Sequence, residues 1–206
     1  MKLFCIRHGE TVYNLEGRIQ GQADSHLSPL GRRQCEAVAD ALAGQAIDVI
    51  VSSPLARAVE SARILADKLR LEVVTDPRLM EINAGIFQGH TWPEINDRFS
   101  EVAAQWRAAD PDFHIPGGES RRDVMLRAGA AFDAILQRNE RVVAVMAHGG
   151  SLSAGLKALL GIPAEHNPFA FSNGSISTLT WDSEIKVHAL NETGHLRDLM
   201  SGDGDL

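Results

Sequence analysis

Apolar positions along this chain repeat with two different periods. Residues 2–7 and 46–52 read as short strands, and 141–147, RVVAVMA, is a continuous apolar run with the character of a strand covered on both faces. Between the runs the period lengthens to that of a helix. Over 29–43, Leu30, Gln34, Cys35, Val38 and Leu42 share one face, with Ser28 as the predicted N-cap and Pro29 at the first helical position. The same stripe recurs over 55–69, behind Ser53 as N-cap and Pro54, and again over 120–138 and 150–160. Residues 175–181 and 185–190 read as the arms of a hairpin joined by Asp182 and Ser183. Strand and helix alternate. That order predicts an α/β sandwich around a mostly parallel sheet, made mixed by the terminal hairpin.

The region 82–119 breaks this rhythm. It is rich in Gly, Pro, Trp and isolated charges, and reads as a lid or substrate insertion within a single domain spanning 1–206. The closing SGDGDL, 201–206, predicts a frayed, flexible tail. No internal repeat or low-complexity segment is present.

Composition narrows the function classes. A chain of 206 residues buries a substantial core without disulfides, and Cys5 and Cys35 sit inside apolar-periodic segments, as small buried hydrophobes of a reduced cytoplasmic protein do. A formal net charge of −7 gives no overall basic field, which argues against nucleic acid or an anionic membrane as partner. The first apolar run is too short for a secretory signal, and no segment approaches the roughly 20 apolar residues of a membrane span. The expected location is the cytoplasm.

In an open α/β sheet, ligands collect outside the carboxyl ends of the strands. Three predicted strands end in groups suited to an anion: Arg7-His8-Gly9, Ser52 through Arg57, and His148-Gly149-Gly150. Arg57 falls in the first turn of its helix, and His148 at the start of another, where free backbone N–H groups and the helix dipole favour negative charge. Arginine forks, helix N-termini and neutral imidazoles together describe a phosphate pocket. Zinc sites want three or four ligands at local spacings that this sequence lacks, so no metal is expected. His26, His90, His114, His166, His188 and His195 are assigned to surface or core.

The segments IRHGETVYN, LSPLGRRQCEAVADAL, VSSPLARAVESARIL, LMEINAGIFQG, PGGES, VMAHGG and NETGHL resemble, in order, those of the histidine phosphatase superfamily, the phosphoglycerate-mutase-like enzymes. The resemblance spans residues 2 to about 196. It implies a three-layer α/β/α sandwich and an enzyme that needs no cofactor. His8 would be the nucleophile that accepts a phosphoryl group, with Arg7, Arg57 and His148 on the phosphate oxygens. Asn14, Gln20, Gly21 and Gly149 would line the phosphate or substrate. Glu81 would be the proton donor, a role that asks for a carboxyl protonated at the start, which a bound phosphate dianion favours.

The resemblance covers both phosphatases and bisphosphate-dependent mutases. Only 66 residues separate Glu81 from His148, and within 90–119 the arginines are Arg98 and Arg107 alone. That favours a phosphatase acting on a small-molecule phosphate ester, with the mutase as runner-up and a noncatalytic phosphate-binding or interaction module as a third reading. From the acid onward the chain reads Glu81-Ile82-Asn83-Ala84-Gly85-Ile86-Phe87-Gln88-Gly89, where many members have Glu-x-Asp-Phe-Gly-x-Trp-Glu-Gly. The glycines keep their spacing but the substituents differ, so the ester itself is left open. The aromatic residues Phe87, Trp92, Phe99, Trp106 and Phe113, with Arg107, are expected to form the insertion's own small core in preference to a specificity pocket. Arg121 and Arg122 stand where a second anion would meet them, with surface solvation equally expected. A homodimer is compatible with all of this.

Overall fold

The computed structural model describes residues 1–200, so the expected tail at 201–206 lies outside the described residues. Six strands among them form one sheet: β1 (Lys2–Arg7), β2 (Val49–Ser52), β3 (Val73–Thr75), β4 (Val142–Ala147), β5 (Ile176–Asp182) and β6 (Glu184–Glu192). The helices are α1 (Val12–Leu15), α2 (Pro29–Leu42), α3 (Ala56–Leu69), α4 (Trp92–Arg98), α5 (Ser100–Arg107), α6 (Arg121–Leu136), α7 (Gly149–Leu160) and α8 (Arg197–Met200).

The strand order is β3-β2-β4-β1-β5-β6. The first four are mutually parallel, while β5 runs antiparallel to both β1 and β6. Because successive side chains of a strand point to opposite faces, the central strands split their residues between two cores. Leu3, Cys5, Val143 and Val145 pack with Phe132 of α6 and Leu152 and Leu156 of α7. Phe4, Ile6, Ala144 and Met146 pack instead with Val38 of α2 and Ala62 and Leu65 of α3. This three-layer arrangement explains the unbroken apolar runs, since both faces of β1 and β4 are covered.

Several boundaries differ from those expected. The second strand begins at Val49 rather than 46, and β3, with three residues at the sheet edge, is too short for its periodicity to register. Asp182 belongs to β5, so the hairpin turns on Ser183 alone, at a φ of 61°. Ser28 caps α2 as expected, its hydroxyl accepting the Gly31 N–H. Ser53 does not cap α3. That helix begins at Ala56 behind Leu55, and the Ser53 hydroxyl is engaged elsewhere.

The insertion 82–119 is more regular than its sequence. It carries α4, capped by a reciprocal Thr91–Glu94 pair, and α5. These wrap a small core of Phe87, Ile95, Ala103 and Ile115, against which Phe99 and Trp106 pack. Among the described residues no helix is long and apolar enough to cross a membrane.

Candidate active site

Parallel pairing brings the carboxyl ends of β1, β2 and β4 to one edge of the sheet. Arg7-His8, Ser52-Ser53 and His148 therefore meet. His8 and His148 are both buried, with ring centroids 5.0 Å apart. Around them Arg7, Asn14, Gln20, Gly21, Arg57 and Glu81 line a cavity of about 270 Å³.

The His8 ring is committed to one tautomer. Its Nδ1 lies 2.7 Å from the Gly9 carbonyl, which only accepts, so Nδ1 carries the proton and Nε2 keeps its lone pair. The Arg57 Nε–H approaches Nε2 at a long 3.3 Å. Burial, reinforced by the charges of Arg57 and Arg7, holds the His8 pKa well below its ordinary 6.5, against the opposing pull of the Gly9 bond. The imidazole is neutral at physiological pH.

His148 is oriented by Ser53. The Ser53 Oγ accepts the Leu55 N–H at 3.3 Å and lies 2.8 Å from His148 Nε2; the hydroxyl proton meets no other acceptor among the described residues, so it goes to that nitrogen and the ring proton sits on Nδ1. His148 Nδ1 is buried and has no partner within the protein. Its pKa is likewise depressed, by burial first and then by Arg57 and the neighbouring ring and cations. A buried donor with no protein partner, beside a cationic cavity, marks a place for an acceptor.

The two arginines are tethered from behind. Arg57 donates from Nη2 to the Gly21 carbonyl at 2.6 Å and from Nη1 to the Ala23 carbonyl at 3.1 Å. Burial lowers its pKa to about 10, which still leaves it charged. Arg7 donates from Nη1 to the Phe171 carbonyl, and its buried Nε is unpartnered. Asn14 is pinned through its Oδ1 by Thr11 and by the Asn173 amide, which also holds the His8 carbonyl at 3.1 Å. Gln20 presents a buried, unpartnered Oε1, and Gly21 takes a φ of +54° with its carbonyl turned to Arg57.

Glu81 faces this cluster from the start of the insertion. Its Oε2 accepts the Gly150 N–H at 2.9 Å, within the first turn of α7, and its Oε1 accepts the Ile82 N–H at 2.8 Å. A buckle fixes the backbone on either side. Arg127 donates to the carbonyls of Arg78, Met80 and Glu81 and pairs with Glu119, whose Oε2 accepts the Asn83 N–H. Gly149 lies over Arg7, where an added Cβ would come no closer than 3.7 Å to the guanidinium.

The sequence profile of the histidine phosphatase superfamily (branch 1) matches residues 3–193. The chain belongs to that superfamily. This histidine phosphatase superfamily member is 36% identical over 204 residues to a probable phosphoglycerate mutase of Yersinia pestis, covering 95% of each chain. A mycobacterial glucosyl-3-phosphoglycerate phosphatase superposes with a TM-score of 0.83 at 35% identity, over 93% of this chain and 99% of that one. A putative alpha-ribazole-5'-P phosphatase from Escherichia coli gives 0.86 at 27% identity, over 93% and 96%.

Arg7, His8, Asn14, Gln20, Gly21, Arg57, Glu81, His148 and Gly149 all adjoin this one cluster, while Ser53, Asn173, Glu119 and Arg127, which orient or brace it, were not singled out in the sequence for that role. Asn173 had a usable signal, because an antiparallel hairpin strand beside β1 must begin where β1 ends. The Glu119–Arg127 buckle had none. It joins a loop to the second turn of α6, and although Glu119 lies in the PGGES segment, nothing in that segment points to a partner eight positions on. Arg121 and Arg122 part company: Arg122 pairs with Asp112 at the surface, whereas Arg121 stacks on Trp106 with its guanidinium carbon 3.5 Å from the ring centroid.

Proposed function

We propose that the protein is a phosphatase that hydrolyses a small-molecule phosphomonoester through a phosphohistidine on His8. The observation that carries this reading is the His8 ring itself, whose Nδ1 is committed to the Gly9 carbonyl so that Nε2 keeps its lone pair, met only by the long Arg57 contact. When the ester enters, the long Arg57 contact is exchanged for a phosphate oxygen. Nε2 forms a bond to phosphorus, the ester P–O bond breaks, and the leaving oxygen takes a proton from Glu81. Glu81, now a carboxylate, accepts a proton from water, whose oxygen attacks phosphorus. The N–P bond breaks, and phosphate departs with His8 neutral and Glu81 protonated again.

Charge stabilisation falls to the residues behind the cavity. The equatorial oxygens of a phosphoryl group in flight carry the charge, and oriented donors of fixed geometry stabilise it without reorganising. Arg7, Arg57 and the Nδ1–H of His148 are such donors, with Asn14, Gln20, Gly21 and Gly149 lining the group and 82–119 covering it. A well-placed acid such as Glu81 contributes about 10²–10⁴ in rate.

Hydrolysis is favoured over a mutase by the insertion's own contacts. Arg98 engages His90 and Phe99, and Arg107 engages Asn96 and Trp92, so both guanidinium groups are used within the insertion. The kinship to a probable mutase keeps that reading as the alternative. A noncatalytic module is disfavoured because His8, Arg7, Arg57, Glu81 and His148 are all present.

The test is initial phosphate release across a panel of phosphomonoesters in the presence of a chelator, beside isomerisation of 3-phosphoglycerate primed with bisphosphate. Phosphate release that falls roughly 10⁴-fold or more in His8→Ala is the expected result. An isomeric phosphoglycerate appearing faster than free phosphate would establish the mutase. Silence in both assays would favour the binding module.

A further inference from the structure

A second cavity, of about 130 Å³, adjoins the first on the side of Glu81, and Ile82 and Gly150 line both. Since Gly150 donates to the Glu81 carboxylate, this second cavity lies on the side from which a proton would reach the leaving group. The organic part of an ester whose phosphoryl group sat between His8 and Glu81 would extend toward it. Its polar lining is therefore a statement about that organic part.

The lining is cationic and rich in donors. Arg121 is held flat against Trp106, donates from Nη2 to the Trp106 carbonyl at 2.9 Å, and keeps a buried Nη1 that meets no acceptor. Lys157 is 5% exposed on α7 and spends two N–H groups on the carbonyls of Ala164 and His166, leaving its third. The Ser153 hydroxyl donates to Asn167 Oδ1, and the Asn167 amide nitrogen, with no acceptor among the described residues, is a further donor at the cavity wall. No acidic residue is among those that line the cavity, and no carboxylate bridges either cation among the described residues.

Two cations drawn together in a partly buried space repel one another. Burial lowers the pKa of both, and the charge of Arg121 lowers that of Lys157 further. Asp110 and Glu165 act on them only from beyond ion-pair distance. Keeping both charged and unpaired costs stability, and an anion between them recovers that cost.

We infer that this cavity receives an acidic group carried by the organic part of the substrate, so that the preferred ester is a phosphomonoester bearing a second anion, a carboxylate, beyond the scissile bond. The inference rests on the phosphatase reading above and specifies its substrate class. Arg121 and Lys157 would hold the carboxylate, with the Asn167 amide as a third donor.

Matched esters separate this claim from the reaction mechanism. Pairs that differ only in an acid, such as 3-phosphoglycerate against glycerol 3-phosphate and 4-carboxyphenyl against phenyl phosphate, are compared by kcat/KM. The wild type is expected to favour the acid of at least one pair by roughly 10-fold to 100-fold, the worth of a hydrogen-bonded charge. Arg121→Gln should remove most of that preference, with turnover of the neutral ester held within about threefold as a check on folding. Arg121→Lys should restore part of it. Equal rates for both members of every pair, or a preference indifferent to Arg121→Gln, overturns the inference while leaving hydrolysis standing.

A readout without turnover covers the opposite failure. Calorimetric binding of 3-phosphonopropionate and propylphosphonate asks the same question of compounds that have no bond to hydrolyse. Tighter binding of the acid, lost in Arg121→Gln, supports the cavity's assignment even if no ester is turned over. Equal binding of the two contradicts it.

Discussion

At the scale of single residues, the site depends on which atom of each ring or carboxylate is already occupied. Ser53 illustrates this: its hydroxyl sets which nitrogen of His148 carries the proton, from a position outside the lining of the cavity. Ser53→Ala should lower kcat about tenfold, one hydrogen bond's worth, with KM little changed. Gly150 makes the complementary point. A Cβ there would stand 2.3 Å from Glu81 Oε1, the free end of a flexible side chain, so Gly150→Ala displaces the carboxyl rather than the backbone. Thermal stability should hold or rise, as alanine is the better helix former, while kcat falls by roughly 10²–10⁴. His8, Arg57, Glu81 and His148 were legible in the sequence because each stands at a strand end or in a motif. Ser53 was visible but read as a helix cap, since a serine before proline carries the same local signal whether its hydroxyl serves a helix or an imidazole.

At the scale of elements, the sheet order decides which ends meet and the helices decide how closely. The apolar periods gave α2, α3, α6 and α7 to within a few residues, because each buries a full stripe against the sheet. They gave nothing for α4 and α5, whose small core comprises a few residues scattered over more than thirty positions. The packing of α6 on α7 offers a direct contrast with Gly150. Gly155, five residues later in α7, faces Phe132 of α6 so closely that a Cβ would lie 2.4 Å from two ring atoms. Gly155→Ala should therefore destabilise the fold by about 1–3 kcal/mol, read from the denaturant midpoint at unchanged slope. One helix thus holds a glycine that leaves room for the Glu81 carboxylate and another that leaves room for helix contact.

At the scale of the whole molecule, burying two neutral histidines among cations ties stability to pH. The pKa values of His8 and His148 lie well below 6.5 in the folded chain, so as pH falls through 6.5 the unfolded chain takes up protons that the folded chain refuses. Their contribution is therefore intact above about pH 6.5 and is lost as pH drops toward the folded values, with each ring adding up to about 1.4 kcal/mol per pH unit to the slope. Urea titrations from pH 7.5 to 5 should show this decline, and His148→Gln should flatten it. On the proposed mechanism the same neutrality lets His8 act as the nucleophile under ordinary conditions, and that is the central claim. The measurement that tests it most directly is rapid-quench intact-mass analysis of enzyme mixed with a turned-over phosphomonoester. The expected result is a transient species heavier by one phosphoryl group, mapped to His8, labile to acid and missing in His8→Ala. Steady turnover with no such species at any mixing time, or with the phosphoryl group on another residue, would contradict it.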